Sequence, residues 1–306
     1  MTLKCDLQYG KGDAEYKLTR VGVKGVRKPI VVQREGASGK VIHNLNCQFD
    51  IYVDLPKDQK GSHMSRNVEV LNEIVADSVE NPITAVENVA VDILKRLMVH
   101  HEYAKEADVH IEAEYFRESK TPLGKNTFEA YTLISGGHLV RGGSITKKIG
   151  VKVVGMTACP CGQQTVTEML EIQSDIPVMT HNQRNIVTLM MYMPEEIDIE
   201  ANDLIDLVEE SFSSPTYELL KRPDEGQVII NAHYNTKFVE DVVRTVLDNL
   251  VKRYKDVPDE VFVDVTSDSE ESIHKHDAFA EREATMGDLR RENNRGSGSD
   301  IRRPCA

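Results

Sequence analysis

No stretch of this chain approaches eighteen uncharged apolar residues. A membrane-spanning helix needs a run of about that length, so the sequence predicts none and no membrane partner. The opening residues, Met1-Thr2-Leu3-Lys4-Cys5-Asp6, lack a basic segment followed by an apolar one, so no secretory leader is expected. Positive charge is also short. Lys and Arg number 37 against 50 Asp and Glu, a formal net charge of −13. Broad phosphate-backbone contact requires clustered cations, which argues against a nucleic-acid partner. A small phosphorylated ligand needs only a local basic pocket and stays compatible. Cysteine is scarce and irregularly spaced, with five residues at 5, 47, 159, 161 and 305. An odd number in a long chain does not read as a disulfide framework. A reducing, cytoplasmic setting is expected, where close cysteines point to metal binding or catalysis. What the chain does have is 40% apolar and 28% charged residues over 306 positions, enough for a real core in one large or two ordinary domains.

The order of predicted elements suggests a repeat. In the first half, Val21 to Gln33 and Gln48 to Leu55 read as strands, the second alternating through Phe49, Ile51, Val53 and Leu55. Helical stripes follow over about Arg66 to Glu80 and Ile83 to Tyr103, separated by Asn81-Pro82. Val109 to Tyr115 and Thr127 to Ile134 return to strand. The second half gives strands at Lys148 to Thr157 and Asn185 to Met193, helices at Ala201 to Ser211 and Lys237 to Tyr254, and a strand at Val261 to Val265. This predicts two similar α+β modules, over 1–147 and 148–292. The charged, Gly/Ser-containing stretch 293–306 is expected to be a disordered tail.

Several segments carry candidate chemistry. Cys159-Pro160-Cys161 ends a predicted strand. A Cys-x-Cys pair without a second pair excludes a closed four-cysteine site. One thiolate with His and carboxylate ligands would leave a coordination position open for water, and the plain alternative is two buried thiols. His181-Asn182-Gln183-Arg184 offers an imidazole and a guanidinium, or an ordinary polar loop. Lys221-Arg222-Pro223-Asp224-Glu225 mixes cations and anions around a proline that favours a turn, either a phosphate site beside a carboxylate ligand or a solvated loop. Glu240 lies opposite the apolar stripe of Phe238, Val242 and Val246. It is either a surface carboxylate or an acceptor for a guanine edge at a subunit interface. His274 and His276 share one face of an extended segment, which suits metal binding or proton transfer as well as a surface pair. Ser65 is a plausible helix cap, and Arg66 beside it could face a ligand. For His100-His101, at a helix end, a favourable dipole interaction is expected.

Taken in order, these segments resemble one family. Val53-Asp54-Leu55-Pro56, Gly61-Ser62-His63-Met64-Ser65-Arg66, Cys159-Pro160-Cys161, His181-Asn182-Gln183-Arg184, Lys221-Arg222-Pro223-Asp224-Glu225, Phe238-Val239-Glu240-Asp241 and Ser272-Ile273-His274-Lys275-His276-Asp277 occur as in the type IB GTP cyclohydrolases, most like the archaeal branch. The resemblance runs from about Val21 to Glu292. It implies a tunnelling fold present twice in tandem, with antiparallel sheets carrying helices on one face. It also implies a homotetramer with interfacial active sites. By the same resemblance, Cys159, His181 and Glu225 are the metal ligands and Glu240 anchors the purine. Either His274 or His276 is the catalytic histidine, and Arg66, Arg184, Lys221 and Arg222 are the candidates for binding the triphosphate. The implied metal is Fe(II), with Zn(II) or Mn(II) as alternatives. The implied reaction is hydrolytic opening of the guanine imidazole ring of GTP, with formate released and 7,8-dihydroneopterin 2′,3′-cyclic phosphate formed for pterin synthesis. The chain departs from the family pattern in a longer stretch between Cys159 and His181, and in Asn235-Thr236 where Asn-Pro is usual. Two alternatives are an NADPH-dependent nitrile reductase of queuosine synthesis, which uses its cysteine as a nucleophile, and a non-catalytic purine-binding protein.

Overall fold

A computed structural model describes residues 7–12, 14–36 and 39–296. In chain order the elements are β1 (Leu18–Gly36), β2 (Gly39–Leu55), α1 (Met64–Glu80), α2 (Val86–His100), β3 (Glu106–Lys120), β4 (Asn126–Val140), β5 (Ile145–Ala158), α3 (Pro160–Met169), β6 (Asn182–Pro194), α4 (Ala201–Glu209), β7 (Ser214–Pro215), α5 (Arg222–Tyr234), α6 (Val239–Arg253), β8 (Phe262–Glu270), β9 (Ala278–Thr285) and α7 (Met286–Gly296). The chain forms two compact units. Unit 1 comprises residues 1–115, 132–149 and 192–198, and unit 2 comprises 116–131, 150–191 and 199–306. The division therefore differs from a single cut between 147 and 148. The residues of strands β3 to β6 are divided between the two units. No helix is long and apolar enough to cross a membrane among the described residues.

In unit 1 the strand order is β1-β2-β3-β4-β5. β1 and β2 form a long antiparallel pair, with Val23 opposite Ile51, and β2 continues antiparallel onto β3, with Phe49 opposite Ile111. Strand side chains alternate between faces. The predicted alternation of β2 is observed: Phe49, Ile51 and Val53 are fully buried. Leu71 and Ile74 of α1 and Ile93, Leu94 and Leu97 of α2 are buried as well, as their stripes predict. Gly22 is required where β1 crosses β2, since a Cβ there would lie 1.8 Å from the Ile51 carbonyl oxygen. The neighbouring lysines of β5 split between the two faces. Lys147 is fully buried, its Nζ donating to Asp198 Oδ1 at 2.6 Å and Asn88 Oδ1 at 3.3 Å, while Lys148 is half-buried.

In unit 2 the order is β5-β6-β8-β9, with the short β7 also pairing antiparallel to β5. Val151 and Val153 of β5, Val187, Leu189 and Met191 of β6, and Val263 and Val265 of β8 are buried, as are Leu204, Ile205, Leu207 and Val208 of α4 and Val242, Val246 and Leu250 of α6. Five elements of this unit were not expected, the two-residue β7 among them. α3 occupies the long stretch after Cys159. α5 begins at Arg222, so Pro223 sits in the first turn of a helix, where its missing N–H costs nothing, and not in a free turn. β9 and α7 fill 278–296, so Asn293 to Gly296 close a helix, while 297–306 of the expected tail lie outside the described residues.

Candidate active site

The site of unit 2 is built where β5 ends. Cys159 is the N-cap of α3 and Pro160 its first helical residue, which turns the chain sharply from strand into helix. The Gly162 N–H points at Cys159 Sγ at 3.4 Å, an arrangement in which helix N-termini hold anionic groups. The backbone N–H of Cys159 donates to the His181 carbonyl at 3.1 Å, and the Thr180 hydroxyl donates to the Cys159 carbonyl at 2.8 Å. The beginning of β6 is thus tied to the end of β5. Gly162 also lies against the His181 ring. A Cβ on it would lie 2.5 Å from Thr180 Oγ1 and 3.2 Å from His181 Cδ2. Only glycine leaves that space.

His181 is oriented from behind. Its Nδ1 lies 3.4 Å from Glu271 Oε2 and 2.9 Å from the Gln183 amide, and Gln183 Oε1 accepts from the Thr157 hydroxyl at 3.0 Å. The Gln183 amide N–H donates to Nδ1, so Nε2 carries the proton in this arrangement, and coordination through Nε2 requires that proton to move to Nδ1, where Glu271 can accept it. The His274 ring stands edge-on to His181 at 6.1 Å between centroids, and His276 stacks on His274 at 5.2 Å. A cavity of about 200 Å³ is lined by Cys159, Gln183, Lys237, Glu240 and Glu271 among others. Burial lowers the pKa of Lys237 from the usual lysine range, with Asp241 opposing, and its Nζ donates to the Ser211 carbonyl at 2.8 Å.

Of the ten residues singled out from sequence, five therefore meet here: Cys159, His181, Glu240, His274 and His276. The other five stand elsewhere. Arg184 lines a second cavity of unit 2. Lys221, Arg222 and Glu225 are exposed at the start of α5. Their neighbour Asp224 is occupied structurally, accepting from the backbone N–H groups of Leu123 and Lys221. Arg66 is in unit 1, donating to the His100 carbonyl at 2.8 Å and to the Tyr9 hydroxyl at 3.4 Å. Among the described residues, the one trio of possible metal ligands whose donor atoms all lie within 4.8 Å is Asp264, Glu281 and Glu283, so Cys159, His181 and Glu225 do not converge within one chain. Sequence reading gave no role to Glu271, Gln183 or Lys237. Gln183 was accessible to it, since a residue two after His181 on an extended chain shares its face. Glu271 was not, because only folding brings β8 to β6. The expected dipole role needs correcting for His101, a buried core histidine with Nε2 2.8 Å from Asn67 Oδ1 and Nδ1 2.9 Å from the Tyr103 hydroxyl, while His100 stands in the last turn of α2 as expected.

The type I GTP cyclohydrolase folE2 family model matches residues 5–280. The chain belongs to this family. Among the relatives of this GTP cyclohydrolase family member, GTP cyclohydrolase MptA 1 of Methanocella arvoryzae is 40% identical over 303 residues, covering 94% of this chain and 95% of that protein. GTP cyclohydrolase MptA of Methanococcus aeolicus is 39% identical and covers 94% and 99% respectively. GTP cyclohydrolase MptA of Methanocaldococcus jannaschii is 37% identical and covers 95% and 98%. Among solved structures, a uricase from Arthrobacter globiformis superimposes with a TM-score of 0.48 at 8% identity, covering 94% of this chain and 96% of that one. The family assignment rests on the sequence relatives.

Proposed function

We propose that this enzyme opens the guanine imidazole ring of GTP by hydrolysis, releases formate, and yields 7,8-dihydroneopterin 2′,3′-cyclic phosphate for pterin synthesis. The observation that carries the reading is the shared cavity of Cys159 and Glu240, with the carboxylate-backed His181 and the His274–His276 stack beside it. The donor chemistry fits a divalent metal. Gly162, whose N–H points at the Cys159 sulfur, leaves a space beside the His181 imidazole that a Cβ would fill. A mixed thiolate, imidazole and carboxylate set suits Fe(II) or Zn(II), and Mn(II) is the further alternative. Cys159 and His181 hold the ion, and Glu225, exposed on α5, is the carboxylate available to a neighbouring subunit of a homotetramer. When bound, such an ion supplies Lewis acidity for hydrolysis at C8 of guanine.

The chain's own residues do the rest. Glu240 accepts hydrogen bonds from the donor edge of guanine and fixes the ring. His274 or His276 passes a proton to the ring nitrogen as the C8–N bond breaks, leaving a formamide, and a second hydrolysis releases formate. Lys221 and Arg222, with Arg184 and Arg66, are the cations assigned to the triphosphate. Closure of the new ring needs mainly positioning. The tandem tunnelling fold is part of this reading, each module supplying an antiparallel sheet backed by helices.

The test is an anaerobic assay with GTP and Fe(II), without nicotinamide, followed by formate determination and mass analysis of the pterin. Formate and a cyclic phosphate are expected. GTP binding without formate would instead identify a binding protein, and turnover of a nitrile with NADPH would identify a reductase. A thiolate-bound ferrous centre is also expected to lose activity in air and regain it with Fe(II) and reductant. Full activity in a metal-free preparation would refute the metal assignment.

A further inference from the structure

A second cavity of unit 2, about 480 Å³ in volume, opens where β7 lies against β5 near the first residues of β4. That volume is ordinary for a small-molecule site, roughly 300–1,000 Å³. Its walls are tied together. The Thr216 hydroxyl donates to the Val154 carbonyl at 2.9 Å, and the Glu218 backbone N–H donates to Glu129 Oε2 at 2.9 Å. Glu129 is the unusual member. It is only 6% exposed, it lines the cavity, and its other oxygen, Oε1, is buried without a hydrogen-bond partner. A buried carboxylate oxygen left unpaired is costly, more so than a neutral acceptor.

The neighbouring charges do not relieve it. Arg117 is consumed by two other acids, donating to Asp206 Oδ1 at 2.6 Å and to Glu209 Oε2 at 3.1 Å. Glu209 Oε1 accepts from the Tyr131 hydroxyl at 2.6 Å. Burial raises the pKa of Glu209 above the usual carboxylate range, with Asp206 and Glu129 adding to the shift and Tyr131 and Arg117 opposing it. The cluster thus holds one cation against three acids. Arg184, also on the lining, is exposed and forms no ion pair among the described residues. Flat apolar surface completes the cavity, from Met156, Val228 and the half-buried ring of Tyr217.

We propose that this cavity is a binding site, separate from the Cys159 cavity, for a small molecule bearing a planar amidinium or guanidinium group on an apolar body. The paired N–H donors of such a cation reach Glu129 Oε1, its charge offsets the acidic cluster, and its body lies against Tyr217 and Met156. The inference rests on Glu129 and uses no residue of the Cys159 cavity; Arg184, on the lining here, is the one residue it shares with the cyclohydrolase reading. The probe is benzamidine, titrated calorimetrically into the full-length protein. Saturable binding at millimolar concentration or below is expected. Glu129→Gln keeps an acceptor for Glu218 but removes the charge, and is expected to weaken binding about tenfold or more, as for loss of one charged hydrogen bond. Tyr217→Leu, which leaves the buried carboxylate in place, is expected to weaken it severalfold and serves if the first variant fails to fold. Glu240→Gln is expected to leave benzamidine affinity unchanged. No saturable binding by the unaltered protein means that solvent alone serves the oxygen, and overturns the proposal. So does wild-type affinity in each variant of this cavity that folds, or loss of binding in Glu240→Gln.

Discussion

Two sets of histidines in this molecule are opposites. In unit 1, His101 has both ring nitrogens engaged, by Asn67 and Tyr103, and no exposed surface. Burial depresses its pKa to about 4, with Arg66, His100 and His63 adding to the effect. In unit 2, His181 has one nitrogen backed by Glu271, and His274 and His276 are exposed and stacked. A ring with both nitrogens satisfied and no access to ligand holds structure together. A ring held through one nitrogen keeps the other available for coordination or proton transfer. Sequence alone shows similar pairs, His100-His101 and His274-x-His276, and partner saturation is what separates them.

This contrast can be broken most severely at the sulfur beside His181. Cys159→Ala is expected to lose bound metal and to lower kcat/KM on the order of a thousandfold or more, while Cys161→Ala, at an exposed thiol, retains both within about tenfold. Equal, mild effects in metal analysis and formate release would remove the ligand assignment. Next, Asn substitution of His274 and His276 separately should cost one variant about a hundredfold or more in kcat with metal content intact, the usual range for a general acid or base. If both retain wild-type turnover, the stack has no proton-transfer role. Glu271→Gln is expected to weaken metal affinity by about tenfold to a hundredfold, the common effect of losing a carboxylate behind a metal histidine. Unchanged affinity in a metal-competition titration would show that Gln183 alone orients the ring.

The smallest effects on catalysis, and the clearest on stability, belong to unit 1. His101→Leu strands Asn67 and Tyr103 and is expected to cost about 1–3 kcal/mol in denaturant unfolding, with turnover per folded molecule unchanged. A fall in turnover would mean that His101 is not purely structural. The sign of its pH dependence follows from the depressed pKa. Between about 6.5 and about 4 the unfolded chain binds the proton and the folded chain does not. Stability is therefore full above the unfolded value and is lost as pH falls toward 4, by on the order of 3 kcal/mol. In His101→Leu that part of the acid slope should disappear.

What sequence made legible follows from how each element buries its side chains. β2, α4 and α6 place apolar residues on one face, so alternation and helical stripes found them. α3 has no buried residue at all, and α5 exposes Ile229 and Ile230 while burying Val228 and Ala232, so neither presents a stripe. β9 runs Ala-Phe-Ala-Glu-Arg-Glu-Ala-Thr with Ala284 alone buried, so it shows no apolar alternation, and its place is set by pairing with β8. The site divides in the same way. Cys159, His181, Glu240, His274 and His276 were readable because motif order and resemblance pointed to them. The backing of His181 by Glu271 depends on the approach of two distant strands, which no local pattern encodes. Glu225 shows a different limit: it is exposed at the start of α5, and a run of mixed charges does not show in sequence where its carboxylate will stand.

The adjacent amines of Lys147 and Lys148 make a built-in gauge of folding. A mild acylating reagent should mark Lys148 at the surface long before Lys147, whose ammonium is enclosed between Asn88 and Asp198. Acylation of Lys147 would then time the opening of unit 1 at a single residue, with its chain neighbour as the internal standard.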